Sequence, residues 1–244
     1  MCGRFVSAAP PDELARYFDV QETSETALDP SYNVAPTDDV YVVVETGGLR
    51  RLDTFHWGLV PFWARDIKVG QKMINARAET IATNGAYKRA FRKRRCLIPA
   101  DGFYEWQKRP TGPKQPMYIR RADGEAVALA GLWEMWKPKA TADDRSTWVR
   151  SCTIITGQPN EVVAPIHDRM PVMLPPSAWD TWLDPTIDDA DSLGQLLVPV
   201  PASLLTAHPV STKVNNVREG GPILIEEAEP LPVEPRQPKL IEGV

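Results

Sequence analysis

Val40-Tyr41-Val42-Val43-Val44-Glu45-Thr46-Gly47-Gly48-Leu49-Arg50-Arg51-Leu52-Asp53-Thr54-Phe55-His56-Trp57 is the stretch that decides the fold class. Its first five residues are all β-branched or aromatic, the composition of a buried strand. Gly47-Gly48 is a turn signal, so a second strand is expected around residues 52–57. The same reading gives further strands near residues 96–99, 117–119, 126–133 and 148–156, each short and broken by Gly, Pro or charge. Helical pattern is sparse. Ser7 is expected to cap a short helix with Pro10-Pro11 in its first turn and Leu14, Tyr17 and Phe18 buried. Other short helices are read at 84–94, 159–166 and 190–197, and after a Ser177 cap around Trp179 and Trp182, while 32–36 reads as a loop. The expected fold is α+β, predominantly β: a barrel-like mixed or antiparallel sheet core with peripheral short helices. One domain is expected over 1–226, followed by an acidic, Pro-rich, disordered tail over 227–244.

The 244 residues, 43% hydrophobic and 25% charged, suit one sizeable core. The chain has no apolar run of about 18 residues and no signal-peptide pattern, so no membrane association is expected. Three widely spaced cysteines suit neither a disulfide framework nor a zinc site and point to a reducing cytoplasm. No metal and no organic cofactor is expected, and a monomer is the default. The net charge of −4 is unevenly spread. Residues 65–121 hold 15 Lys and Arg against four acidic residues, whereas residues 226–244 hold five Glu against Arg236 and Lys239. A basic middle is the footprint of a nucleic-acid partner, though solvated helix faces give the same count.

Three stretches carry chemistry. In Met1-Cys2-Gly3-Arg4-Phe5 the small second side chain permits removal of Met1, leaving Cys2 with an α-amine and a thiol on adjacent carbons. Such a 1,2-aminothiol takes an aldehyde as an imine and closes the thiol onto it as a thiazolidine, or acts as an N-terminal nucleophile. In Ala100-Asp101-Gly102-Phe103-Tyr104-Glu105-Trp106 a carboxylate sits among aromatics, where desolvation would raise its pKa; a surface strand Glu fits the same alternation. His167, in Ile166-His167-Asp168-Arg169-Met170-Pro171, is one of three histidines and suits acid–base work or a structural role. The aromatic run Trp57-Gly58-Leu59-Val60-Pro61-Phe62-Trp63 reads as a lid over the core or a platform for bases.

Taken together and in order, these stretches resemble the SOS-response-associated peptidase (SRAP) family, the abasic-site processing proteins. The motifs at 1–5, 32–36, 57–63, 74–80, 101–106, 153–156, 166–171 and 214–218 match, covering nearly all of residues 1–225. The resemblance implies a protein that binds single-stranded DNA and links its own N-terminal Cys2 to the aldehyde of an abasic site. It puts Cys2, Asn75, Glu105 and His167 in the active site, and Arg4, Pro36, Trp63, Arg77 and Thr156 where the family contacts or wedges DNA. Strand-cleaving lyase activity and self-processing through the same Cys are further implications. The turn Gly157-Gln158-Pro159-Asn160 departs from the family's Ala-rich turn, and the acidic tail has no counterpart.

The chemistry of the residues is consistent with this. Glu105 can help open the closed sugar and shuttle protons, His167 can stabilise the imine or sugar oxygen, and Asn75 offers a neutral amide. Arg4 and Arg77 present forked donors for phosphates. Two other readings stand beside it. A cysteine peptidase limited to its own Met1 would form no DNA adduct. A non-catalytic single-stranded DNA-binding module would bind without Cys2 and without preference for abasic sites.

Overall fold

The computed structural model describes residues 2–232. In chain order the strands and helices are β1 (Phe5–Ser7), α1 (Pro11–Tyr17), β2 (Glu22–Thr23), β3 (Ser31–Val34), β4 (Asp39–Thr46), β5 (Leu49–Trp57), β6 (Asn75–Arg77), α2 (Lys88–Lys93), β7 (Arg95–Ala100) and β8 (Gly102–Gln107). They continue with β9 (Gln115–Arg121), β10 (Val127–Trp136), β11 (Val149–Gly157), β12 (Met170–Pro171), α3 (Pro176–Leu183), α4 (Ala190–Gln195) and β13 (Leu205–Pro209).

The β4–β5 hairpin forms where the valine run and Gly47-Gly48 place it. Both glycines have positive φ (64° and 75°), and the register runs from Thr46↔Leu49 at the turn to Asp39↔His56. From this hairpin the sheet proceeds antiparallel through β7 and β10 to β11. Strand β11 then returns to β5 in parallel, Ser151↔His56 and Cys152↔Trp57, which closes a five-stranded barrel. The expected barrel-like, predominantly β core is the observed one. A second, antiparallel sheet of order β13-β9-β8-β1-β3 is continuous with it through β7 and β8, which are separated only by Asp101. At that bend Asp101 N–H donates to the Val6 carbonyl and its carboxylate accepts from Ala8 N–H, so the corner is tied to β1.

Alternation along β4 divides the core in two. Val40, Val42 and Val44 pack in one cluster with Phe5, Trp57, Phe103 and Ile119 of the second sheet and barrel. Tyr41 and Val43 face the other way, into a cluster with Leu14 and Phe18 around α1, Ala90 and Phe91 of α2, and Trp179 and Trp182 of α3. Each aliphatic side chain so buried contributes about 1.5–3 kcal/mol. The helices therefore cover one side of the barrel and leave the other to the second sheet.

Several local expectations are corrected. The first helix starts at Pro11 with Pro10 as its N-cap; Ser7 belongs to β1, and the fixed φ of proline already suits a helix start. Likewise Pro175, not Ser177, precedes α3. The 32–36 loop is in part strand β3, which pairs with β1 at Phe5↔Val34. Residues 159–166 form turns rather than a regular helix. The basic run after Phe91 is not all solvated: Arg95 is buried and donates to the carbonyls of Trp182, Phe91, Arg92, Asp184 and Ile187. Arg94 pairs with the buried carboxylate of Glu134. Residues 227–232 pack on the domain, since Glu227 bridges Val210, Ala228 N–H donates to Pro209, and Leu231 N–H donates to Gln115. The rest of the expected disordered tail, 233–244, lies outside the described residues.

One close approach fixes the aromatic loop after β5. Gly58 (φ 130°) and Gly70 meet backbone to backbone: a Cβ on Gly70 would lie within van der Waals overlap of the Gly58 carbonyl, and one on Gly58 would stand 2.7 Å from the Gly70 carbonyl oxygen. Gly70→Ala is expected to destabilise the protein by about 1–3 kcal/mol, lowering the melting temperature by roughly 2–4 °C per kcal/mol. Thermal melts followed by circular dichroism check this. A melt unchanged within a degree would mean the two loops are not clamped.

Candidate functional site

The site is assembled where β1, β6 and β8 converge with the loop after β11. Strand β1 pairs with β8 at Phe5↔Phe103, and Tyr104 N–H donates to the Arg4 carbonyl, so continuing this register sets Gly3 opposite Glu105. Cys2 is thereby drawn fully into the interior, with no exposed surface. On its other side β6 lies parallel to β11, Ile154↔Asn75 and Thr156↔Arg77. Asn75 reaches across and donates from Nδ2 to the Cys2 carbonyl at 2.8 Å. The Asn75 carbonyl in turn accepts from the Tyr87 hydroxyl at 3.3 Å, and the Asn75 Oδ1 is buried with no hydrogen-bond partner.

Glu105 is almost completely buried, and this burial raises its carboxyl above the ordinary glutamate range. The imidazole of His167 faces it, Nε2 to Oε2 3.9 Å. The tautomer follows from the neighbours: Arg169 N–H, which can only donate, points at His167 Nδ1 from 3.0 Å. Nδ1 is therefore the acceptor, and the neutral ring carries its proton on Nε2, the edge towards Glu105. The exposed Asp168 carboxylate also lies 3.0 Å from Nδ1. Burial, reinforced by the charge of Glu105, pushes the Cys2 thiol well above its ordinary value, so in this form it is a thiol and not a thiolate.

Cys2, Asn75, Glu105 and His167 are thus brought together from four separate segments. The five expected DNA contacts have mixed surroundings. Arg4 is a strut: its Nη1 donates to Asn33 Oδ1 at 2.6 Å and to the Val214 carbonyl at 2.9 Å, and its guanidinium lies 6.0 Å from the Trp106 ring centre. Arg77 is exposed and Pro36 half-buried. Trp63 is 54% exposed. Thr156 is wholly buried with its hydroxyl unpartnered. Beside His167 a groove of about 240 Å³ is lined by Trp106, Lys108 and Lys114.

Two structural members were not picked out from sequence. Arg169 forms a bidentate pair with Glu79, at 2.5 and 2.9 Å, and donates to the Thr156 carbonyl at 2.5 Å. This pair pins the His167 loop to the end of β11 and β6, and it holds the Glu79 carboxyl below its ordinary range. Its place in the Ile166–Pro171 motif is the sequence signal; the contact with the His167 ring comes from its backbone N–H, which any residue but proline supplies. Asn33, buried, is the second; its amide donates to the carbonyls of Asn216 and Glu219 at 3.0 Å.

Among the described residues no group of three or more His, Cys, Asp or Glu is arranged to hold a metal ion, and no helix is long and apolar enough to cross a membrane.

A β-barrel with a cysteine at position 2 buried beside an amide and a carboxylate, the carboxylate faced by an imidazole, defines the class, and the chain belongs to the SOS response associated peptidase (SRAP) family, whose model matches residues 1–217. It is 40% identical over 227 residues to the abasic site processing protein YoqW of Bacillus subtilis, covering 93% of this chain and 99% of that one. It is 31% identical over 232 residues to the abasic site processing protein YedK of Escherichia coli, with 93% and 99% covered. A solved protein from Bacteroides thetaiotaomicron shares the fold with a TM-score of 0.81 at 24% identity, covering 93% of this chain and 100% of that one.

The raised Glu105 carboxyl has a consequence for stability. The folded protein binds that proton more tightly than the unfolded chain, so its contribution is favourable below the ordinary glutamate pKa of about 4.3 and is lost as pH rises through the raised value. Glu105→Gln should therefore melt progressively higher than wild type as pH is raised from 4 to 8, by roughly 2–4 °C per kcal/mol gained. Melts across that range check it; a wild-type–variant gap independent of pH would contradict the assignment.

Proposed function

We propose that the protein captures abasic sites in single-stranded DNA by forming a covalent thiazolidine through Cys2, once Met1 has been removed. The observation that carries this reading is the convergence of Asn75, Glu105 and His167 on a buried cysteine at position 2. The names of the relatives, abasic site processing proteins, support the substrate class.

The chemistry balances without any cofactor. Hydrolysis of the Met1–Cys2 peptide bond frees the α-amine. The ring-opened sugar presents an aldehyde at C1; the amine adds to it, and the carbinolamine loses water with a proton from Glu105, giving an imine. The Cys2 thiol then adds across C=N, its proton passing to the nitrogen, and the five-membered ring closes. A thiol held protonated by burial fits this order, with the amine as first nucleophile and sulfur second. Burial raises the Glu105 carboxyl above the ordinary glutamate range, which favours the protonated form that a proton donor needs, a role worth about 10²–10⁴ in rate. The Nε2–H of His167 can donate to the sugar oxygen, and Asn75 Oδ1 can accept from the freed amine. If the imine loses a proton from the adjacent sugar carbon, β-elimination of the 3′ phosphate would cleave the strand, which is the associated lyase activity. Self-removal of Met1 by Cys2 is a second reading, favoured only by the family description. The exposed Arg77 and Trp63 fit phosphate and base contacts.

A denaturing gel of the protein with oligonucleotides carrying one abasic site tests the reading. Wild type should give a heat-stable shifted band, and Cys2→Ala none. Cys2→Ser, which keeps the amine, should be trapped only on borohydride reduction of its imine. Glu105→Gln should slow adduct formation by about 10²-fold or more. Absence of adduct from protein lacking Met1 would sink the proposal, and an adduct by Cys2→Ala would remove the cysteine from it.

A further inference from the structure

We infer that a groove formed by Phe62, Arg89, Arg94, Trp133 and Lys137 is a second binding subsite for single-stranded DNA, holding the strand that flanks the captured residue. The inference rests on single-stranded DNA being the substrate of the Cys2 site. The groove has a volume of about 350 Å³ and is lined by these residues and Met135. Its walls alternate cations and aromatic faces: the Arg89 guanidinium lies 4.8 Å from the Phe62 ring centre and that of Arg94 5.2 Å from Trp133. Phe62 is 51% exposed, and Arg89 and Lys137 are exposed. The acidic neighbour Glu134 is buried and engaged by Arg94, so the remaining charge is positive.

This composition discriminates between partners. Phosphates alone would be served by lysines on a flat face; aromatic faces set between guanidiniums add stacking surfaces, which only unpaired bases can reach. An apolar peptide would not require the cations, and an acidic peptide would not require the exposed ring.

The groove and the catalytic cleft are both framed on β11. Met135 pairs with Arg150 and Asn75 with Ile154, four residues further along; β10 and β6 lie on opposite sides of β11, so about 13 Å along it and about 10 Å across it give a separation of roughly 16 Å. A flanking strand of a few nucleotides spans that distance. The loop that carries Phe62 also carries Trp63 and is bonded to the segment before Asn75, with Leu59 N–H donating to the Met73 carbonyl and Trp57 Nε1 to that of Ile74. The groove and the site therefore share one rigid wall.

The test uses the triple variant Phe62→Ala/Arg89→Gln/Lys137→Gln, which leaves the buried Arg94–Glu134 pair and all four site residues in place. Affinity for undamaged single strands of increasing length is measured by fluorescence anisotropy. Crosslinking to a short oligonucleotide, with two or three nucleotides on each side of the abasic site, is run in parallel. Wild type should gain about tenfold or more in affinity when the strand is long enough to enter the groove. The variant should lose that gain, its salt dependence should fall by about 1.4 in log–log slope for two lost cations, and its short-oligonucleotide crosslinking should match wild type. An equal gain with length in both proteins overturns the subsite. Failure of wild type to crosslink, with the length-dependent loss intact, would count against the capture reading alone.

Discussion

The parallel contacts of β11 are the constraint on which the rest of the molecule depends. One end of the strand pairs with the last residues of β5 and so closes the barrel. Its other half pairs with β6, which contributes only three residues. Parallel ladders need long connections and are slightly weaker per residue, so neither pairing would form in isolation. They are held because β11 is already anchored to β10 over six residue pairs and because its buried side chains, Cys152, Ile154 and Ile155, join both halves of the core. The same strand that closes the barrel sets Asn75 beside Cys2 through its pairing with β6 and, through Thr156↔Pro171, fixes the chain just after His167. Fold and site share one strand.

Electrostatics in this cleft work against stability. The buried, unpartnered side-chain oxygens of Asn75 and Thr156 each carry a desolvation cost of roughly 1–3 kcal/mol, and burial of the Glu105 carboxyl and the Cys2 thiol disfavours their charged forms. These costs are offset elsewhere. Arg95 satisfies five carbonyls where α2, α3 and the following loop meet, and the Trp182 indole N–H donates to the Cys96 carbonyl at 2.9 Å. The barrel and its helical cover supply a frame rigid enough to keep polar groups in the interior waiting for partners.

The sequence makes the long strands legible because a valine run between turn glycines has few alternatives. It leaves β1, β3, β6, β12 and β13 unread for a physical reason: they span two to five residues, and they are strands only because a distant partner is already in place. The site residues were accessible in a different way. Cys2, Glu105 and His167 stand out by chemistry, but their proximity cannot be read from spacing, and Asn75 enters only through the motif that contains it. Arg94 and Arg95 show the limit of charge counting. Both look like part of a basic surface, yet one neutralises a buried carboxylate and the other binds carbonyls. Only Lys88, Arg89, Arg92 and Lys93 of that run are exposed.

The Arg4 strut has an implication for when the site comes into being. Arg4 is held by the Val214 carbonyl, 210 residues away, and by Asn33, whose amide is fixed by the carbonyls of Asn216 and Glu219. Arg4 thus receives a contact from a residue made 210 positions later. At about 5–20 residues per second, tens of seconds or so separate the two events. Until residues 214–219 are made, Cys2 sits on a chain that lacks this anchor. The surroundings of Cys2 are complete only once they are in place, so a product truncated before them carries the cysteine without the contacts that hold Arg4.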